Sequence, residues 1–125
     1  MTGIELLLSV LIMVESGGDV NAVGDGGASL GPLQIQRACY TDAVAQIKRE
    51  GGTAPPAYEV AAVDPVWART LARAYWRRYC PQAYAEGDYQ TLARVWNGGP
   101  SGAKKAATVP YWEKVKRELN RRTGL

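Results

Sequence analysis

From Gly3 to Val14 the chain is apolar at almost every position, "GIELLLSVLIMV", with Glu5 its only charge, and the run ends on Glu15. A segment apolar around its whole circumference predicts a helix buried on nearly all sides. Gly17-Gly18 stop it, because glycines accept the left-handed backbone of a helix C-cap. The run is shorter than the roughly 18 to 20 residues a membrane span needs. It also has no basic flank before it and no small-residue cleavage site after it, so neither a span nor a signal peptide is expected.

The pattern then changes period. "NAVGDGGASLGPLQIQ", residues 21–36, reads as short extended segments joined by a turn at Asp25-Gly26-Gly27, a small hairpin-like lobe. "RACYTDAVAQIKRE" predicts a second helix ending at Gly51-Gly52, and "GGTAPPAYEVAAVDP" a loop centred on Pro55-Pro56. Asp64-Pro65 supplies an N-cap and a first-turn proline, after which Trp67, Leu71, Tyr75 and Tyr79 recur every fourth residue. That stripe is read as core packing rather than as a sugar-stacking surface. A fourth helix begins at Asp88, carries Leu92, Val95 and Trp96, and ends at the loop "NGGPSGAKKAA". The last starts near Thr108, with Val109, Trp112, Val115 and Leu119 on one side and Glu113, Lys116 and Arg117 on the other. These elements predict an α+β fold, mainly α, with a helical lobe and a small glycine-rich β lobe. No internal repeat is visible, and residues 1–125 are read as one domain.

Composition narrows the chemistry. At 125 residues and 46% hydrophobic, the chain can bury one sizeable core. Its net charge of +3 favours polyanionic partners, but no basic block is interleaved with aromatics and no finger or RNP pattern occurs. Nucleic acid is therefore not expected, and an anionic cell envelope suits the charge as well. Cys39 and Cys80 are the only cysteines and do not form a C-x-x-C pair, so no metal site is expected. A disulfide between them and two buried thiols both remain open. No cofactor is implied. Gly27-Ala28-Ser29-Leu30-Gly31 fits the G-x-S-x-G pattern of a serine nucleophile, but the chain has no histidine, and Gly31-Pro32 opposes the helix that must follow. Carboxylates are left as the candidate catalytic groups.

Glu15 sits in the last turn of the apolar helix, where unpaired carbonyls and burial both disfavour a charged carboxylate. A glutamate held protonated near neutral pH is what a general acid needs to protonate a glycosidic oxygen. Asp25 lies ten residues on in the polar lobe, an environment that suits a nucleophile or base. Each has a plainer alternative: an exposed glutamate at a frayed helix end, and an Asp-Gly turn dipeptide.

Two stretches carry a resemblance. "VESGGDVNAVGDGGASLGPLQIQ" resembles the active-site segment of the lysozyme superfamily, where a helix ends in Glu-Ser-Gly and a Gly-x-x-Gln-Ile strand follows. In soluble lytic transglycosylases an Asn-Ala-Val segment stands near the place of Asn21-Ala22-Val23. "RVWNGGPSGAKKAATVPYWEKVK" and "AYWRRYCP" are similar to the invertebrate-type (destabilase) lysozymes, with their Asn-Gly-Gly-Pro loop followed by Lys-Lys, a threonine and Tyr-Trp. Most of the chain outside residues 41–63 is covered. The chain departs from that family in having Ala103 at a half-cystine position and Trp96 where histidine is common.

The resemblance implies a lysozyme-like fold with Glu15 as general acid and Asp25 as second carboxylate. The glycines at 24, 26, 27 and 31 are expected to line one wall of a sugar cleft, and Asn97-Gly98-Gly99-Pro100 the other. Ser29, Gln34, Trp96, Asn97, Gly98 and Tyr111 are the candidate substrate-side residues. Gln34 is expected to brace the lobe, and Tyr111 to point its hydroxyl at Glu15. The implied activity is a peptidoglycan muramidase, with a lytic transglycosylase and a non-catalytic wall-binding or virion module as rivals. The expected partner is the peptidoglycan glycan strand, met by a monomer at the bacterial cell wall. A phage lysin or a trimmed secreted enzyme from a bacterial or phage source is the expected form.

Overall fold

A computed structural model of the chain describes residues 3–124. Helix α1 (Gly3–Ser16) buries one face, with Leu7, Leu8, Val10 and Leu11 wholly buried, while Met13 is 44% exposed and Ile4, Leu6, Ile12 and Val14 are half-buried, so it is not enclosed on nearly all sides as its apolar run predicts. It leads into strands β1 (Val23–Gly24), β2 (Ser29–Leu30) and β3 (Ile35–Gln36), an antiparallel sheet in the order β1-β2-β3. Val23 faces Leu30 across the first pair, and Ser29 faces Gln36 across the second. The remaining helices are α2 (Arg37–Arg49), α3 (Tyr58–Ala61), α4 (Pro65–Tyr79), α5 (Pro81–Glu86), α6 (Tyr89–Gly98) and α7 (Val109–Thr123). The mainly α, α+β architecture with a small β lobe is as the sequence predicts. No described helix is long and apolar enough to cross a membrane.

Local chemistry explains the helix starts. The Asp64 carboxylate accepts from the backbone N–H groups of Val66 and Trp67, both at 2.9 Å, ahead of Pro65 in the first turn. Asp88 caps α6, accepting from the Thr91 N–H at 3.2 Å and its hydroxyl at 2.7 Å.

Three elements differ from the sequence reading. The buried face of α4 includes Ala68, Ala72 and Trp76 as well as Leu71 and Tyr75, while Trp67 and Tyr79 are only half-buried. Trp76 has no exposed surface, and its indole N–H donates to the Leu92 carbonyl at 3.0 Å, joining α4 to α6. Cys80 leaves helical geometry (φ −147°) before Pro81, as a residue preceding proline tends to, and α5 restarts the chain in a new direction. The segment expected as a loop from Gly51 contains α3, whose Tyr58 is buried because it serves the neighbouring lobe.

Strands of two residues cannot hold themselves together. Here they are tied down from outside. The Tyr58 hydroxyl donates to the Ile35 carbonyl at 2.6 Å, and the Ser16 hydroxyl donates to the Pro32 carbonyl at 2.8 Å. Gly31, at φ +82°, lies directly on the Ala62 carbonyl: a Cβ there would sit 1.8 Å from its oxygen. No residue but glycine fits this position.

Cys39 and Cys80 are free thiols, each half-buried, so of the two alternatives the chain takes the unbonded one. Burial pushes the Cys39 thiol up to about 12 and the Cys80 thiol up to about 11.

Candidate active site

A cleft of about 830 Å³ opens between the β lobe and the end of α6, and Glu15, Asp25, Ser29, Gln34, Trp96 and Asn97 are among its walls. Glu15 reaches it from the last turn of α1. The Ser16 bond to Pro32 fixes the direction in which that helix end meets the lobe. The Tyr111 hydroxyl, brought from α7, donates to Glu15 Oε2 at 3.0 Å. Burial is the main force that raises the Glu15 carboxyl from 4.5 to about 7, and the charge of Asp25 adds to it. Hydrogen bonds from Tyr111 and Trp96 and the charge of Lys114 oppose the rise without cancelling it. Burial and the neighbouring Glu15 hold the Tyr111 phenol well above its ordinary range, so it remains an O–H donor.

Removing that donor tests the balance of forces. Tyr111→Phe is expected to raise the Glu15 pKa further, because the bond that favours the carboxylate is lost while burial remains. Carboxyl chemical shifts followed by NMR titration measure it, and an unchanged or lower value contradicts the assignment.

Asp25 begins a short 3-10 turn (Asp25–Gly27) between β1 and β2, with its backbone in the left-handed region at φ +52°. Short polar side chains such as aspartate visit that region more readily than most. Its carboxylate is solvent-exposed, and Oδ2 accepts from the Ser29 hydroxyl at 2.6 Å. Ser29 is 1% exposed. Its hydroxyl is committed to Asp25, so the structure gives it a protein partner where the sequence placed a substrate contact.

Gln34 also sits at positive φ (+53°), and its amide donates to the Ala22 carbonyl at 3.2 Å and the Gly31 carbonyl at 3.0 Å. It is the brace anticipated from the sequence, although it borders the cleft. The glycines do not line a wall as expected: none of Gly24, Gly26, Gly27 and Gly31 borders the cleft. Gly24 instead makes room for Gln34, whose Oε1 lies 2.2 Å from where a Cβ would stand. These glycines allow backbone and side chains of the lobe to close on one another.

The end of α6 does reach the cleft. The helix continues through Asn97, exposed there, and Gly98, past the end at Trp96 that the sequence predicts, and Gly99 and Pro100 follow in the loop. Lys105 Nζ donates to the Gly98 carbonyl at 2.7 Å, and buried Thr108 donates to the Gly102 carbonyl at 2.7 Å while accepting from Arg94 Nε at 2.8 Å. Trp96 is half-buried, edge-on to Tyr75 with centroids 5.8 Å apart and to Trp76 at 6.1 Å. The sequence reading missed Cys39, Asp42 and Tyr75 as cleft residues. Asp42 accepts from the Tyr79 hydroxyl at 2.8 Å, a cross-helix pair 37 positions apart that no local pattern announces.

The arrangement sets a carboxyl raised to about 7 and a clamped, exposed carboxylate on one cleft. Among the described residues no group of His, Cys, Asp or Glu could hold a metal ion.

Similar chains are known. This one is 34% identical over 93 residues to invertebrate-type lysozyme 6 of Caenorhabditis elegans, covering 73% of this chain and 67% of the relative. It is 30% identical over 112 residues to a lysozyme of Meretrix lusoria, covering 88% and 85%. A solved structure, Aeromonas hydrophila PliI in complex with Meretrix lusoria lysozyme, matches with a TM-score of 0.75 at 28% identity over 94% of this chain and 93% of that one. No family model matches the chain.

Proposed function

The chain belongs to the invertebrate-type lysozyme family, and on that footing we propose that it is a peptidoglycan muramidase, hydrolysing the β-1,4 bond between N-acetylmuramic acid and N-acetylglucosamine. The observation that carries this reading is Glu15, a half-buried carboxyl held by the Tyr111 hydroxyl and raised by desolvation to about 7 on the wall of a cleft of about 830 Å³. Its proton goes to the oxygen of the leaving sugar as the glycosidic bond breaks. The positive charge developing at the anomeric carbon then meets Asp25, which stabilises or traps that centre or activates the incoming water. Tyr111 and Trp96 hydrogen-bond the Glu15 carboxyl, so that deprotonation during the reaction leaves a hydrogen-bonded carboxylate. The exposed Asn97 side chain offers a donor and an acceptor to acetamido groups and hydroxyls from the other wall. The reading treats residues 1–125 as a single catalytic domain that acts as a monomer on glycan strands of the bacterial cell wall.

Product analysis tests it. Mass spectrometry of digested peptidoglycan is expected to find reducing N-acetylmuramic acid ends. Predominantly 1,6-anhydro ends would assign the chain to transglycosylation, in which the muramyl 6-hydroxyl takes the place of water. Intact glycan would leave a wall-binding role.

A further inference from the structure

Ser29 is the most deeply buried polar group on the cleft, and its partner is the one candidate catalytic group that is exposed. Strand pairing on both sides fixes its position: β2 is the middle strand, with Ser29 opposite Gly24 and Gln36. The residue four positions earlier, Asp25, has a strained backbone at φ +52° and a side chain open to solvent. Among the described residues, the only side-chain hydrogen bond to its carboxylate is that of Ser29 Oγ to Oδ2 at 2.6 Å. That distance is in the short range for a hydroxyl donating to a carboxylate. No hydrogen bond to Oδ1 is formed among the described residues, and Asp25 borders the cleft.

We infer that Ser29 is the positioning residue of Asp25: it holds Oδ2 so that the carboxylate keeps one rotation and offers Oδ1 to the reacting sugar. The inference rests on the muramidase reading and on Asp25 acting in it. An exposed aspartate otherwise samples several rotamers, and each turn of the carboxylate away from the anomeric carbon removes its contribution to the transition state. The lobe supplies the stiffness that makes such a clamp effective. Gln34 laces Ala22 and Gly31 together, and Tyr58 pins Ile35, so β2 cannot move independently of the strands beside it. Ser29 touches the reaction only through Asp25.

The test is a double-mutant cycle with Asp25→Asn, read as kcat, KM and the affinity for chitooligosaccharide. Ser29→Ala is expected to lower kcat about ten- to a hundredfold, the worth of a hydrogen bond to a charged group, and to leave KM and oligosaccharide affinity within about twofold. In the Asp25→Asn background the same change should cost less than about threefold, since the group it positions is gone. Ser29→Cys fills nearly the same space with a weaker donor and should give an intermediate kcat, which keeps the inference testable if the alanine variant folds poorly. Equal losses in both backgrounds, or weakened oligosaccharide binding with kcat unchanged, overturn the inference and make Ser29 a structural residue or a sugar contact. Near wild-type turnover by Asp25→Asn itself overturns instead the reading on which the inference rests.

Discussion

Glu15→Gln is expected to lower peptidoglycan lysis by about three orders of magnitude or more, with the fold intact. Glutamine keeps the size of the side chain and can still accept from the Tyr111 hydroxyl, which lies 3.0 Å from Oε2, but it has no proton to give a leaving oxygen. Stability should move in the opposite direction to activity. The folded-state pKa of Glu15 is raised by burial from 4.5 to about 7, so the folded chain binds more protons than the unfolded chain between those values. Stability therefore falls as pH rises across that interval, and above it the folded state bears the whole cost of a buried charge. Replacing Glu15 by an uncharged amide removes that cost, and thermal unfolding at pH 8 should show a higher Tm for the variant than for the wild type. Turbidity loss of a cell-wall suspension measures the activity. A folded Glu15→Gln variant that clears peptidoglycan near the wild-type rate would overturn the muramidase reading altogether.

Asp25→Asn is expected to lower turnover by about two orders of magnitude or more, because an amide neither carries charge to the oxocarbenium-like centre nor activates water. It should also leave a signature in the residual activity. Wild-type activity is lost as pH rises through the Glu15 value of about 7, since the acid must be protonated to act. The charge of Asp25 is one of the forces that raise that value, so removing it moves the alkaline limb of the pH profile to lower pH. Loss of Tyr111 moves the same limb the other way. A large drop in rate with no displacement of the limb would mean that Asp25 acts elsewhere than beside Glu15, and a small drop with anhydro products would mean that water is not the acceptor.

The parts of this molecule that were legible in the sequence are those governed by neighbours along the chain. The existence of α1 and its entry into the core follow from its apolar run, although Met13 is 44% exposed and the helix is not buried on nearly all sides; the start of α4 follows from Asp64-Pro65, and the environment of Glu15 from its place in the last turn of α1. The parts that were not legible depend on residues far apart in sequence. Tyr58 lies in a stretch with the composition of a loop, and its bond to Ile35, 23 positions away, is a contact that no local pattern announces. Trp76 falls outside the every-fourth-residue stripe because the buried face of α4 is wider than one row, receiving α2 on one side and α6 on another. The glycines of the lobe were read as room for a ligand, whereas Gly24 and Gly31 make room for Gln34 and the Ala62 carbonyl. A glycine reports that something comes close without saying what. The Ser29–Asp25 pair was within reach of local reasoning, since a serine four residues after a turn aspartate is well placed to bond it, but once the nucleophile pattern was rejected Ser29 was placed among the substrate-side residues instead.

The dependence of the β lobe on Ala62 and Tyr58 limits how the site could be transplanted. Residues 23–36 carry Asp25, Ser29 and Gln34, and they look from the sequence like a self-contained cassette that could be grafted onto another helical scaffold. Their fixed shape is borrowed from the 58–62 segment, through the Ile35 bond and the close seating of Gly31, and from Ser16 at the end of α1. A recipient protein given the cassette alone would receive the residues without the geometry. The smallest portable unit is the lobe together with α3 and the last turn of α1, and a designer who moves one must move all three.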